Sequence, residues 1–137
     1  MKPGITTATG YGFTRELALS YQQLQRPLKG IEALKDATKA FPKSGQLEYL
    51  IATAYTALEK PEESLKHIQI AITKGNLNKP YQAYLSLAYT AYSLQKFEIG
   101  LEAALKASEF PEGAKDGKSM VDALRALIKD REAKKNR

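Results

Sequence analysis

The sequence predicts an all-α chain of three consecutive helix pairs, stacked on one another and closed by one further helix. Three observations carry this. The chain repeats itself with a period of 34 residues. Within each copy the apolar residues recur at helical spacing. Small residues and prolines fall where paired helices would touch and where the chain would turn.

The repeat is read residue by residue. With Tyr11 placed on Gly45, Leu17-Ala18-Leu19-Ser20-Tyr21 falls on Ile51-Ala52-Thr53-Ala54-Tyr55, and Pro27 falls on Pro61. Gly30 falls on Ser64, Leu34 on Ile68 and Ala37 on Ala71. A third copy opens at Tyr81 after two extra loop residues, with Leu87-Ala88, Gly100 and Ala107 in the corresponding places. The chain divides accordingly. Residues 1–10, rich in Gly and Thr, read as a flexible N-terminus. Repeats cover 11–44, 45–80 and 81–114, and 115–137 form a capping helix and basic tail.

Each repeat predicts two amphipathic helices. The first helices are expected over 13–25, 46–58 and 81–94, the second over 28–40, 62–74 and 98–110. Leu47, Leu50, Ile51, Ala54 and Leu58 show the helical spacing. Ala18, Ala52 and Ala88 let a partner helix approach, and Gly30, Ser64 and Gly100 answer from the second helix. Glycine inside a helix costs about 1 kcal/mol relative to alanine, so it asks for a packing reason. Pro27 and Pro61 sit in turns, where a missing N–H is harmless, and Glu62 and Glu63 complement a helix N-terminus. The closing helix is expected over 118–135. Met120, Ala123, Leu124, Leu127 and Ile128 share its apolar side, with Lys129, Arg131, Lys134 and Lys135 toward the polar end. A repeat array needs such a cap with a polar outer face. No N-terminal counterpart is visible, so Tyr11 and Phe13 read either as plain surface aromatics or as a contact with a missing neighbour or a second copy, a homodimer.

Composition sets the outer bounds. At 137 residues, 43% hydrophobic and 26% charged, the chain is one domain's worth of ordinary globular sequence. It has no cysteine, which excludes disulfides and thiolate metal sites. The net charge of +6 is uneven: residues 113–137 carry eight basic and four acidic side chains, the rest thirteen and eleven. No run of apolar residues is long enough to span a bilayer. Met1-Lys2-Pro3-Gly4-Ile5 lacks the apolar centre of a signal peptide. A complete chain would thus be cytoplasmic, whereas a fragment of a longer one would leave the periplasm open.

Chemistry is hard to place. His67 is the only histidine and is expected on a helix surface. Gly10-Tyr11-Gly12 follows no strand and precedes no Gly-Lys-Ser/Thr, so it is no phosphate loop. No cofactor, metal or catalytic set is expected, and the reading is that the chain is not an enzyme.

The repeated set resembles the tetratricopeptide repeat. Thr14, Leu17, Ala18, Tyr21, Gly30, Leu34, Ala37 and Pro42 occupy its positions in the first copy. Glu48, Ile51, Ala52, Tyr55, Ser64, Ile68 and Ala71 do so in the second, and Tyr84, Leu87, Ala88, Ala91, Gly100, Ala104, Ala107 and Pro111 in the third. Thr14 and Glu48 depart from the usual bulky residue, and Asn76 stands where proline is usual. The resemblance implies a right-handed superhelical α-α solenoid of about seven helices whose first helices line a concave groove that binds a peptide or helix. The residues it points into that groove are Arg15, Leu19, Gln22 and Gln23, then Gln46, Tyr49, Leu50, Thr53 and Thr56, then Gln82, Leu85, Ser86, Tyr89 and Tyr92. They are tyrosines, leucines, amides and hydroxyls with one charge, which suits an uncharged, partly apolar ligand. The subgroup that clamps the carboxylate of heat-shock chaperones uses Lys, Asn and Arg where this chain has Arg15, Leu19, Leu50, Gln82 and Ser86, so membership of it is not expected.

A narrower resemblance rests on Gly75-Asn76-Leu77-Asn78-Lys79-Pro80 followed by Ala83-Tyr84 and Leu87-Ala88. It is to the last repeats of bacterial proteins of this family associated with TonB-type systems, which are longer and periplasmic. The expected partner is a protein or peptide. The alternatives are nucleic acid or an anionic surface bound through the basic C-terminal helix, and self-association through the uncapped N-terminal repeat. Nucleic acid is disfavoured because the aromatic and basic residues are separated along the chain rather than interleaved.

Overall fold

A computed structural model of the chain describes residues 27–136. Among them stand six α-helices and one 3-10 turn, with no strand: α1 (Pro27–Ala40), α2 (Gly45–Ala57), α3 (Pro61–Lys74), α4 (Pro80–Ser93), α5 (Phe97–Ser108), the turn Pro111–Gly113, and α6 (Ala114–Lys135). The expected boundaries hold to within two residues, except that α6 begins four residues earlier than residue 118. The flexible N-terminus, the helix over 13–25 and the roles of Tyr11 and Phe13 lie outside the described residues. Two compact units divide the chain, Met1–Asn78 and Lys79–Arg137.

In the first unit α2 packs between α1 and α3. Ile31, Leu34 and Ala37 of α1 bury against Leu47, Ile51 and Ala54 of α2, flanked by Leu50, Tyr55 and Leu58. Leu65, Ile68 and Ala71 bury the matching stripe of α3. Ser64 is fully buried, and its Oγ donates to the Ala52 carbonyl at 3.0 Å, so the small-residue pair expected from the repeat is a direct contact. Ser44 caps α2 by accepting from the Leu47 N–H at 3.2 Å.

The segment after α3 explains why asparagine replaces proline at position 76. Gly75 has φ 74° and ψ −151°, and Asn76 has φ 53°. Asparagine tolerates that left-handed conformation, whereas proline is locked to negative φ. Three bonds then tie this segment back to the start of α2. The Gly45 N–H donates to the Gly75 carbonyl at 2.9 Å, Asn76 Nδ2 to the Lys43 carbonyl at 3.0 Å, and the Asn78 N–H to Gln46 Oε1 at 3.1 Å.

The second unit is built on alanine. Ala83, Leu87, Ala88 and Ala91 of α4 meet Ala103, Ala104 and Ala107 of α5, and Met120, Val121 and Leu124 of α6 close the core. A Cβ on Gly100 would lie 3.3 Å from the Ala88 carbonyl oxygen and 3.3 Å from both Leu124 methyls. A Cβ on Gly117 would lie 2.8 Å from the Ser108 nitrogen, so glycine lets α6 approach the end of α5. The cap's apolar side is thus Met120, Val121 and Leu124, with Leu127 and Ile128 half-buried. Ala123, expected on that side, is exposed because it sits a third of a turn from Leu124.

The two described first helices, α2 and α4, end alike. Glu59 (φ 58°) and Gln95 (φ 60°) hold left-handed positions, and the next N–H reaches back five residues, from Lys60 to Tyr55 at 2.9 Å and from Lys96 to Ala91 at 2.8 Å. A non-glycine residue there carries strain of about 1 kcal/mol. Glu59→Gly and Gln95→Gly are each expected to raise stability by roughly 0.5 kcal/mol, the strain relief being partly offset by the looser unfolded chain. Urea unfolding checks this, and a loss of stability in both variants would refute it.

Candidate peptide-binding face

The helix α4 (Pro80–Ser93) reads PYQAYLSLAYTAYS and carries no charged side chain. Ala83, Leu87, Ala88 and Ala91 bury one side. Gln82, Leu85, Ser86, Tyr89 and Tyr92 fall within about a third of the circumference on the other side. Tyr89 is 54% exposed and Tyr92 46%, so neither is framework. Gln82 is exposed, and Leu85 and Ser86 are half-buried. Tyr84 belongs to the framework instead, stacking on Phe110 with ring centroids 6.2 Å apart.

The corresponding side of α2 is more closed. Tyr49 and Leu50 are half-buried, Leu50 against the unit's core. Thr53 is exposed, but its Oγ1 donates to the Tyr49 carbonyl at 3.0 Å. Thr56 donates to the Ala52 carbonyl at 3.1 Å and lies 2.7 Å from Ser64 Oγ, so its hydroxyl faces its own helix pair and not a ligand. Gln46 is a correction: expected on the ligand face, it is buried, and its amide oxygen is taken by the Asn78 N–H. The two-residue loop insertion before repeat three creates that donor. Arg15, Leu19, Gln22 and Gln23 lie outside the described residues.

A second cluster was not legible in the sequence. Glu48, which departs from the repeat's bulky residue, is buried and bridges two helices. Its Oε1 lies 2.9 Å from His67 Nδ1, and its Oε2 accepts from Lys74 Nζ at 2.6 Å. Tyr55 stacks on the His67 ring at 5.4 Å, and Lys35 Nζ donates to the Tyr55 hydroxyl at 3.0 Å. His67, expected as an ordinary surface residue, is therefore mostly covered and partnered, its side chain 16% exposed. The signal was the pairing of two oddities, an acid at a core position and a lone histidine 19 residues on.

This cluster is a structural tie. Burial pushes the Glu48 carboxyl up, but the hydrogen bonds and charges of Lys74 and His67 outweigh it and hold the group below the ordinary value of 4.5. A carboxyl depressed in the folded state contributes stability above pH 4.5 that is lost as pH falls through its lower folded value. Glu48→Gln is expected to cost about 1–3 kcal/mol at pH 7 and to flatten the acid limb of the stability curve. Glu48→Leu restores the repeat's apolar residue and is expected to cost less. Denaturant titrations between pH 3 and 7 check both, and equal losses in the two variants would contradict the account.

The end of α6 holds the basic tail. Arg131 makes a bidentate contact with Glu98 and lies 5.8 Å from the Phe97 ring centroid. The Glu98 carboxyl falls to about 2, chiefly through that hydrogen bond. Lys134 pairs with Asp130 at 3.0 Å and Lys135 with Glu132 at 3.7 Å.

No protein-family model matches the chain, and no curated protein does. Solved structures match. The first tetratricopeptide domain of Spaghetti (RPAP3), bound to the HSP90 peptide SRMEEVD, superposes with a TM-score of 0.67 at 19% identity, over 82% of this chain and 93% of that one. Two structures of MamA superpose at 20% identity. One has a TM-score of 0.66 over 96% of this chain and 82% of that one, the other 0.63 over 86% and 69%. At such identities the likeness shows the fold: the chain has the tetratricopeptide-type helical repeat fold. The narrower TonB-associated resemblance is not shown by these structures.

Proposed function

We propose that the chain is a non-catalytic binding module that holds an uncharged, partly apolar segment of another polypeptide against the outward side of α4. The observation that carries this is α4, fourteen residues without a charge, with Tyr89 and Tyr92 exposed one turn apart. Exposed helix faces are ordinarily covered by charged side chains. Tyrosine offers apolar area, worth about 25 cal/mol per Å² buried, together with a hydrogen-bonding tip. Leu85, one turn before Tyr89, extends the apolar area. The peptide SRMEEVD held by the Spaghetti domain carries three acids. This chain places Leu50 where the chaperone-binding subgroup has asparagine, and Gln82 and Ser86 where it has cations, so a different ligand chemistry follows.

Peptides selected by display against the full chain test this. Enriched sequences are expected to share an uncharged, partly apolar central stretch, and to lose at least tenfold in affinity for a Tyr89→Ala/Tyr92→Ala variant of unchanged helicity. SRMEEVD is expected to show no saturable binding up to about 1 mM. Peptides that bind parent and variant equally would move the site elsewhere. Binding of nucleic acid through the tail is the weaker reading, because Arg131, Lys134 and Lys135 are each paired with a carboxylate. A steep fall of any binding with salt would favour it instead.

A further inference from the structure

We infer that the occupant of the α4 face is an amphipathic α-helix with an uncharged apolar stripe about three turns long and carboxylates near both ends. This rests on the reading of α4 as the binding face and goes further, to the ligand's conformation and charge pattern. Hydrogen-bond accounting comes first. An extended segment covering α4, about 20 Å long, would bring roughly a dozen backbone N–H and C=O groups against it. The face has few partners for them. Ser93 Oγ already donates to the Thr90 carbonyl at 2.7 Å, and Ser86 is already engaged. Gln82 and the phenols of Tyr89 and Tyr92 remain, too few to satisfy an extended backbone, and each buried polar group left unpaired weakens binding. A helix satisfies its own backbone and needs none of them.

Charge supplies the second argument. The uncharged stretch is bounded by Lys79 before α4 and Lys96 after it, both exposed and without an ion pair among the described residues. Each is also an N-cap, of α4 and of α5, and neither makes a side-chain capping bond. Lysine has no acceptor to offer there, and its charge opposes the helix dipole. Lys60 caps α3 in the same way, so the bare cap is common to the repeat; the placing of exposed lysines at both ends of an uncharged helix is what bears on the ligand. Two cations flanking an apolar face complement a ligand that is acidic at its ends and neutral in the middle.

Two display libraries panned against the full chain test the inference. One varies the surface of a helix held in a rigid three-helix scaffold. The other presents linear peptides of equal length with a fixed central proline, which cannot form a continuous helix. Binders are expected from the helical library, at least tenfold tighter, with Asp or Glu enriched at both ends and absent from the middle. Each should lose at least tenfold with Tyr89→Ala/Tyr92→Ala. A Lys79→Glu/Lys96→Glu variant, harmless at helix N-termini, should instead select lysine-ended helices. Proline-containing peptides that bind as tightly and still depend on Tyr89 and Tyr92 would overturn the helical occupant while leaving the face. End charges that are random, or indifferent to the lysine reversal, would overturn the charge pattern. Should neither library yield binders sensitive to Tyr89 and Tyr92, the face itself is wrong and the inference falls with it.

Discussion

Gly45→Ala is expected to destabilise the domain by about 3 kcal/mol or more. The alanine Cβ would lie 2.0 Å from the Gly75 carbonyl oxygen and 2.4 Å from that of Ala71. Both neighbours are backbone, so no flexible side chain can swing aside. Relief requires the start of α2 to separate from the end of α3, which breaks the 2.9 Å bond from the Gly45 N–H to Gly75. It also pulls on the neighbouring Gln46–Asn78 and Asn76–Lys43 bonds. Helix propensity works in the opposite direction, favouring alanine by up to about 1 kcal/mol, and is too small to compensate. Gly75→Ala makes a matched comparison. Nothing lies within 4 Å of its Cβ, so its cost comes only from the backbone conformation, of order 1–3 kcal/mol. Urea unfolding followed by circular dichroism ranks the two. A Gly45→Ala variant within 1 kcal/mol of the parent would show that α2 and α3 do not meet as described.

The difference between these glycines marks what the sequence could disclose. Periodicity placed the five described paired helices because one apolar stripe at helical spacing and a 34-residue repeat fix length and partner together. It also paired Ser64 with Ala52 and Gly100 with Ala88, since small residues recur at one repeat position. Gly45 has no such counterpart: its repeat-three equivalent is Tyr81, so comparison of repeats hides the close approach. Glu48 was hidden for the same reason. A departure from a repeat reads as surface until its partners His67 and Lys74 are seen within bonding distance. On the proposed face, the resemblance to the repeat family pointed to Tyr89 and Tyr92, and both are exposed. It misplaced Gln46, whose amide oxygen is taken by a hydrogen bond that no one-dimensional pattern contains.

The closing helix gives the second large effect, and a coupling that tests the packing directly. Leu124 is fully buried and its two methyls lie over Gly100. Leu124→Ala removes them from a core otherwise made mostly of alanine, whose short side chains cannot reach across to refill the space. A loss of about 3 kcal/mol is expected, with α6 detaching first. Gly100→Ala alone is expected to be near neutral or mildly unfavourable: its Cβ is crowded at 3.3 Å by Leu124 and by the Ala88 carbonyl, against a propensity gain of up to about 1 kcal/mol. In the Leu124→Ala background the crowding methyls are gone, and the same Gly100→Ala change should stabilise by roughly 0.5–1 kcal/mol. Hence the double variant should be more stable than the sum of the single effects, as expected of two positions in contact. Strict additivity would mean that α6 does not seat Leu124 on Gly100. The cap would then have to hold α5 through its rim, chiefly the Arg131–Glu98 pair, whose small, solvent-screened contribution fades as Glu98 is protonated toward pH 2.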